Sequence, residues 1–157
     1  MAGTDEGRDS EGGVPLPPPG RAPLDQLFDG NGLYALRSAV ADHAAELGLG
    51  EHVVSDLVLI AHELATNAVR HGGATPADPG RLRLWAADGV VVCQVHDPGP
   101  APADLATVGH APAKPGASNG RGLWIVRRLT RRLDIVVEPT GTTITAVVAL
   151  GSSTIDS

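Results

Sequence analysis

Glu63-Leu64-Ala65-Thr66-Asn67-Ala68-Val69-Arg70-His71, followed by Gly72-Gly73, is the stretch on which the fold turns. Upstream of it, Val53, Val54, Leu57, Val58, Leu59, Ile60 and Ala61 are densely apolar, and the spacing predicts one helix over 51–71 that stops at the glycine pair. Helical residues turn by about 100° each. Leu57, Ala61, Leu64 and Ala68 therefore share a core side, while Glu63, Asn67, Arg70 and His71 line a second stripe at i, i+4, i+7 and i+8. A solvated helix face would carry the same pattern. Against that reading, Asn is a poor helix former with nothing to gain mid-helix in water, and the apolar surroundings leave little of this helix for solvent. The stripe also suits Mg²⁺ and triphosphate. Mg²⁺ prefers hard oxygen ligands and keeps waters, so one Asn oxygen beside phosphates suffices. A Glu one turn away can take a proton from an attacking hydroxyl. His62-Glu63 is no zinc-protease motif, because Thr66 stands where the second His belongs.

Working outward, Asp29-Gly30-Asn31 can cap an earlier helix over 32–47, with Leu33, Leu36, Val40, Ala44 and Leu47 as its apolar stripe and Gly48 and Gly50 ending it. Gln26–Phe28 can form a short edge strand before it. Downstream, strands are expected at 81–87 and 90–97, joined by the hairpin signal Asp88-Gly89. Residues 98–120 hold five prolines and four glycines and read as a long functional loop such as a lid. A third helix over 123–133 and two last strands, 134–138 and 142–150, complete the chain. The expected architecture is an α+β two-layer sandwich, a mixed or antiparallel sheet with helices on one face.

Two further signals lie at element ends. Asp97, at the exit of the apolar run Val90–Val95, can accept a hydrogen bond from an exocyclic amine such as that of adenine, and Pro98-Gly99 lets backbone approach a ligand. The bland alternative is an ordinary strand-ending turn. Ser118-Asn119-Gly120-Arg121-Gly122-Leu123 opens the third helix, where free N–H groups favour anions. The bland alternative there is a loop with an N-cap. Neither a Walker A loop nor a dinucleotide fingerprint is present.

By order and spacing together these segments resemble the GHKL (Bergerat-fold) ATPases. Glu63–His71 looks like their N box, Asp97-Pro98-Gly99 like the first glycine box, and Gly120-Arg121-Gly122-Leu123 like the second, at the hinge of an ATP lid. Thr142-Thr143 after Gly141 resembles the terminal motif near the adenine. The short second glycine box and the small size are similar to the anti-sigma-factor branch of regulatory serine/threonine kinases. The resemblance implies ATP and Mg²⁺ as cofactors. Asn67 would hold the metal and Glu63 would be the general base. Asp97, Gly99, Thr142 and Thr143 would surround the adenine, and Gly120, Arg121, Gly122 and Leu123 would wrap the phosphates. Arg70 and His71 would stand near the phosphates or the lid hinge. It also implies a sigma factor or an anti-anti-sigma antagonist as partner, with a homodimer possible. A non-catalytic ATP-dependent module that sequesters such a regulator is the alternative. The pattern of histidine kinases is missing, since their longer glycine box is absent and His43 on the first helix reads as a surface residue.

Composition sets the remaining limits. The 157 residues suit one domain, carry a net charge of −6 and include one cysteine. An acidic chain argues against nucleic acid as a direct partner. Arg127-Arg128 and Arg131-Arg132, with Arg121, would form a basic patch on the third helix: a solvated face, or a contact for an acidic protein or a phosphate. Cys93, flanked by Val90–Val92 and Val95, reads as an inert strand thiol. No signal-like N-terminus and no run of about 18 apolar residues is seen, so a cytoplasmic, non-membrane protein is expected. Residues 1–24, with Pro17–Pro19 and scattered acids, read as a disordered tail. Residues 25–151 form the ATP-binding domain, and 152–157 a flexible end.

Overall fold

The computed structural model describes residues 13–99 and 121–150. Its elements run β1 (Leu24–Phe28), α1 (Leu33–Glu46), α2 (Glu51–Asn67) with a π-helical extension (Ala68–Gly72), β2 (Gly80–Ala87), β3 (Val90–Asp97), α3 (Arg121–Leu129), β4 (Arg132–Glu138) and β5 (Gly141–Ala149). The five strands make one sheet in the order β1-β2-β3-β5-β4, with every neighbouring pair antiparallel. Of the two sheet types the sequence allowed, the antiparallel one is realised.

The helices form on the expected apolar stripes. In α1, Leu36, Val40 and Ala44 are buried, and in α2, Leu57, Ile60, Ala61, Leu64 and Ala65. They pack on the sheet face carrying Leu82, Leu84, Val91, Cys93, Val95, Ala146 and Val148. Cys93 is fully buried and its thiol is pushed up to about 12 by that burial, as an inert strand thiol requires. The β2–β3 hairpin turns at Asp88 (φ 55°) and Gly89 (φ 80°), the paired left-handed geometry that Asp-Gly favours.

Four differences from the sequence reading have physical causes. The helix expected over 51–71 leaves α-geometry after Asn67 and widens into the π turn, closed by Gly73 at φ 94° and by the Ala74 N–H donating to the Ala68 carbonyl at 3.0 Å. Asp29 does not cap α1 by its side chain. Its carboxylate instead accepts the Asn31 N–H at 2.8 Å within the preceding turn. The third helix ends at Leu129, because the Thr130 hydroxyl bonds back to the Arg127 carbonyl and Arg132 and Leu133 pair with Val147 and Ala146 as strand. The basic patch is split accordingly: Arg131 and Arg132 leave the helix, and Arg132 pairs with Asp134 at 2.8 Å. Finally, His43 is only partly exposed, with its Nε2 buried and unpartnered.

The sheet's other face carries a smaller cluster of Trp85, Val90, Val92 and Val147, on which Val14 packs. Trp85 Nε1 donates to the Pro15 carbonyl at 2.9 Å. Part of the segment read as a tail thus lies on the sheet ahead of β1, while residues 1–12, the lid over 100–120 and the end over 151–157 lie outside the described residues.

Candidate functional site

Asp97 closes β3, and strand alternation turns it to the same face as Val91, Cys93 and Val95, toward the helices. Its Oδ1 accepts the Gly99 N–H at 2.8 Å, folding the chain over Pro98. Burial raises the Asp97 pKa above the ordinary carboxylate value, against the downward pull of the Gly99 N–H and of His96. Opposite it in the ladder stands Thr142, buried, its hydroxyl without a partner. Gly141 precedes it at φ 138°, and a Cβ there would lie 2.0 Å from the Asp97 carbonyl oxygen. Only glycine permits this approach.

The extension of α2 meets the same place. A Cβ on Gly73 would lie 3.4 Å from Gly99 Cα, so the end of the π turn rests on the Asp-Pro-Gly turn. Within that turn His71 keeps Nε2 buried and unpartnered, and Arg70 is exposed. π turns of this kind often mark functional sites, because they rotate the following side chains off the regular helical stripe. One turn back, Asn67 is the half-buried last residue of α2. Glu63 faces α3 closely: a Cβ on Gly122 would lie 2.5 Å from Glu63 Oε1, so the carboxylate rests on the first turn of that helix.

The site residues read from the sequence therefore fall into groups. Asp97, Gly99 and Thr142 converge with the end of the π turn, and Glu63 and Gly122 touch beside Asn67's helix. Two expected residues take other places. Thr143 projects to the opposite face of the sheet, where its hydroxyl stands 3.0 Å from His96 Nδ1, because neighbouring strand residues alternate sides. Leu123 is buried in the core, so it anchors α3 by packing. Gly120 lies outside the described residues, and Arg121 opens α3. Gly73 and Gly141 were not read as site residues. Each sits one or two positions from a residue that was, which is the only signal for them in the sequence.

Among the described residues, the buried His71 Nε2 and Thr142 Oγ1 have no hydrogen-bond partner. Asp97 has an oxygen beyond the one bonded to Gly99, and glycines keep the walls free of side chains. That donor and acceptor set fits a purine base and its phosphates. No cluster of three His, Cys, Asp or Glu among the described residues could hold a metal by itself. A Mg²⁺ ion here would draw on phosphate oxygens and water besides Asn67.

An antiparallel sheet covered by helices on one face, with Asp97, Thr142 and the π turn gathered at one end, frames a candidate ligand site. The model of the histidine kinase-like ATPase domain family matches residues 29–148, and the chain belongs to that family. Among solved structures, it is similar to the RsbU and RsbW domains of Rv1364c from Mycobacterium tuberculosis at 25% identity and TM-score 0.63, over 83% of this chain and 33% of that one. The blue-light activated histidine kinase EL346 of Erythrobacter litoralis shares the fold at 17% identity and TM-score 0.55, over 78% of this chain and 43% of that one. The chain thus spans a third to under half of these two proteins. No curated protein gives a match. Among the described residues, no helix is long and apolar enough to cross a membrane.

Proposed function

We propose that this protein is a cytoplasmic, ATP-dependent regulator of the anti-sigma-factor type, which transfers the γ-phosphoryl group of ATP to a Ser or Thr of an antagonist protein. The observation that carries the reading is the convergence of Asp97, Gly141–Thr142 and the α2 extension around buried polar atoms without partners. The family match and the RsbW-containing neighbour support it. In this reading Asp97 accepts the adenine amine and Thr142 completes that end of the cleft. Asn67 holds Mg²⁺, His71 faces the phosphates, and the backbone at Gly122 receives them at the start of α3. ATP supplies the transferable phosphoryl group. Glu63 takes the proton of the incoming hydroxyl.

The contact between Glu63 and Gly122 favours one competing reading. If the carboxylate stays against α3, no hydroxyl reaches it, and the protein is a nucleotide-dependent binding module that sequesters its partner. The test needs the partner, so capture of a sigma factor or a small antagonist protein on the immobilised chain comes first. Transfer of ³²P from ATP to that partner is then measured. Wild type should transfer. Glu63→Ala should keep ATP affinity and lose about 10²–10⁴-fold in transfer rate, as removal of a general base does. Asn67→Ala should lose Mg-ATP binding and transfer together. A bound partner that wild type never labels would establish the binding module instead. Failure of Mg-ATP to raise the melting temperature would remove the nucleotide reading altogether.

A further inference from the structure

The sheet face turned away from the helices holds an open polar pocket of about 310 Å³, lined by Arg81, Arg83, Gln94, His96 and Thr143. It lies across the sheet from Asp97, since His96 and Asp97 are neighbours on one strand and point to opposite faces. Two arginines, an imidazole, an amide and a hydroxyl converge there, and among the described residues Asp25 is the carboxylate paired with both arginines. Their positions are held from behind. Arg81 makes a two-pronged pair with Asp25, Nε at 2.8 Å and Nη2 at 2.5 Å. The Arg83 guanidinium lies over the Trp85 ring at 5.2 Å. Gln94 Nε2 donates to the Thr145 hydroxyl at 3.1 Å, and Thr143 holds His96 by Nδ1 at 3.0 Å.

This arrangement leaves donors over. Among the described residues, Arg83 Nε is buried without a hydrogen-bond partner and makes only a long ion pair, 3.8 Å, with Oδ2 of Asp25. One Asp against two Arg leaves a positive site on a chain whose net charge is −6. The Arg83 side chain is partly exposed and its ion pair with Asp25 is long, so its buried Nε keeps a donor that an acceptor would complete. Arginine forks match the paired oxygens of an oxyanion, and their stacking on an aromatic ring preserves that geometry.

We propose that this outer-face pocket is an anion-binding site for a phosphoryl group, distinct from the nucleotide cleft on the helix side. Arg83 is its central donor, Arg81 adds charge, and His96, Thr143 and Gln94 fix the orientation. The group comes either as free phosphate or on a phosphorylated side chain, and the pocket has room for more than the phosphate alone. The site places Thr143 in a role on this face.

The test uses the full chain without nucleotide, titrated with inorganic phosphate and, separately, with O-phospho-L-serine, followed through the backbone amides by NMR. Sodium chloride at matched ionic strength is the control. Saturable shifts at Gln94, His96 and Thr143, at or below about 1 mM ligand, are expected. Arg83→Gln should weaken binding at least tenfold. His96→Gln, which keeps the size of the side chain and leaves the Asp25 pair alone, should weaken it several-fold and guards against an Arg83 variant that fails to fold. Tighter binding of phosphoserine assigns the site to a phosphorylated side chain, and tighter binding of phosphate to the free ion. Shifts confined to Asn67, His71, Gly99 and Gly122 would overturn the proposal, because they would place phosphate in the nucleotide cleft. Shifts equal to those with chloride, or unchanged by Arg83→Gln in a folded protein, would overturn it as well.

Discussion

Asp97 ties the stability of the fold to the proposed nucleotide site. Its pKa is raised by burial, so the charged form is disfavoured in the folded chain. The sign follows from linkage: a carboxyl with a raised folded pKa contributes stability below its ordinary value of 3.8, and that contribution is lost as pH rises through the folded pKa. Asp97→Asn removes the charge but keeps an oxygen for the Gly99 N–H. Without nucleotide, the variant should melt at or above wild type at pH 7, with the gap closing below pH 3.8. Its ATP affinity should fall about tenfold by calorimetry, since a charge-assisted hydrogen bond is roughly twice as strong as a neutral one. A variant that melts lower at neutral pH, yet binds ATP as wild type does, would show that Asp97 serves the fold alone. Gly122 poses the converse case. Its missing Cβ would lie 2.5 Å from Glu63 Oε1, the far end of a flexible side chain. Gly122→Ala should therefore move Glu63 rather than unfold the protein, and alanine's better helix propensity offsets part of the crowding. The melting temperature should hold within a few degrees while phosphoryl transfer falls as it does in Glu63→Ala. Transfer at the wild-type rate would separate the contact from the chemistry.

At the scale of elements, what the sequence made legible was periodicity. The apolar stripes of α1 and α2, the strands over 81–87 and 90–97 and the Asp88-Gly89 hairpin all follow from local rules, and each is present. Boundaries set by partners were less legible. Arg131, Arg132 and Leu133 have helical neighbours in the chain, but β5 offers Val147 and Ala146 as ladder partners, and pairing prevails. The same holds at the N-terminal side, where a proline-rich composition conceals a docked segment. Val14 covers Trp85, Val92 and Val147, and Trp85 gives its indole N–H to Pro15. Residues 1–12 lie outside the described residues, so the chain starting at residue 13 is the reference for the docked segment. Deleting residues 1–23 uncovers that cluster and strands the indole donor. It should destabilise the domain by about 1–3 kcal/mol and red-shift the Trp85 fluorescence. Equal melting temperatures for the two truncations, by calorimetry, would make the docked segment energetically idle.

The described residues form two layers, with the proposed nucleotide site on the helix side of the sheet and the arginine-lined pocket on the other. Cys93 lies in the core between the layers and reports on it. Its thiol is fully buried and its pKa is pushed up to about 12, so both access and thiolate are denied. Ellman's reagent should label the native chain at least about a thousandfold more slowly than the denatured one, at a rate set by opening of the core. Mg-ATP, by stabilising the folded state, should slow the labelling further. Fast labelling of the native chain would mean that β3 opens readily, and the core would then not be the rigid support that both sites need.

The sequence by itself determined the family, the layer architecture and the chemistry on offer. Helical and strand patterns are local, and the Glu63–His71 stripe, the Asp97 turn and the glycines at the start of α3 are contiguous motifs whose residue types already constrain what they could bind. Only the tertiary structure decided which of those residues meet. Antiparallel register sets Asp97 against Thr142, and strand alternation sends Thr143 to the other face with His96. The π turn carries Gly73 onto Gly99, and packing of α3 on α2 sets Gly122 against Glu63. Arg81, Arg83 and Asp25 become one cluster only because β1 lies beside β2. Partners such as these are separated in the chain, and their pairing is set by the burial of the whole core, which no local propensity encodes.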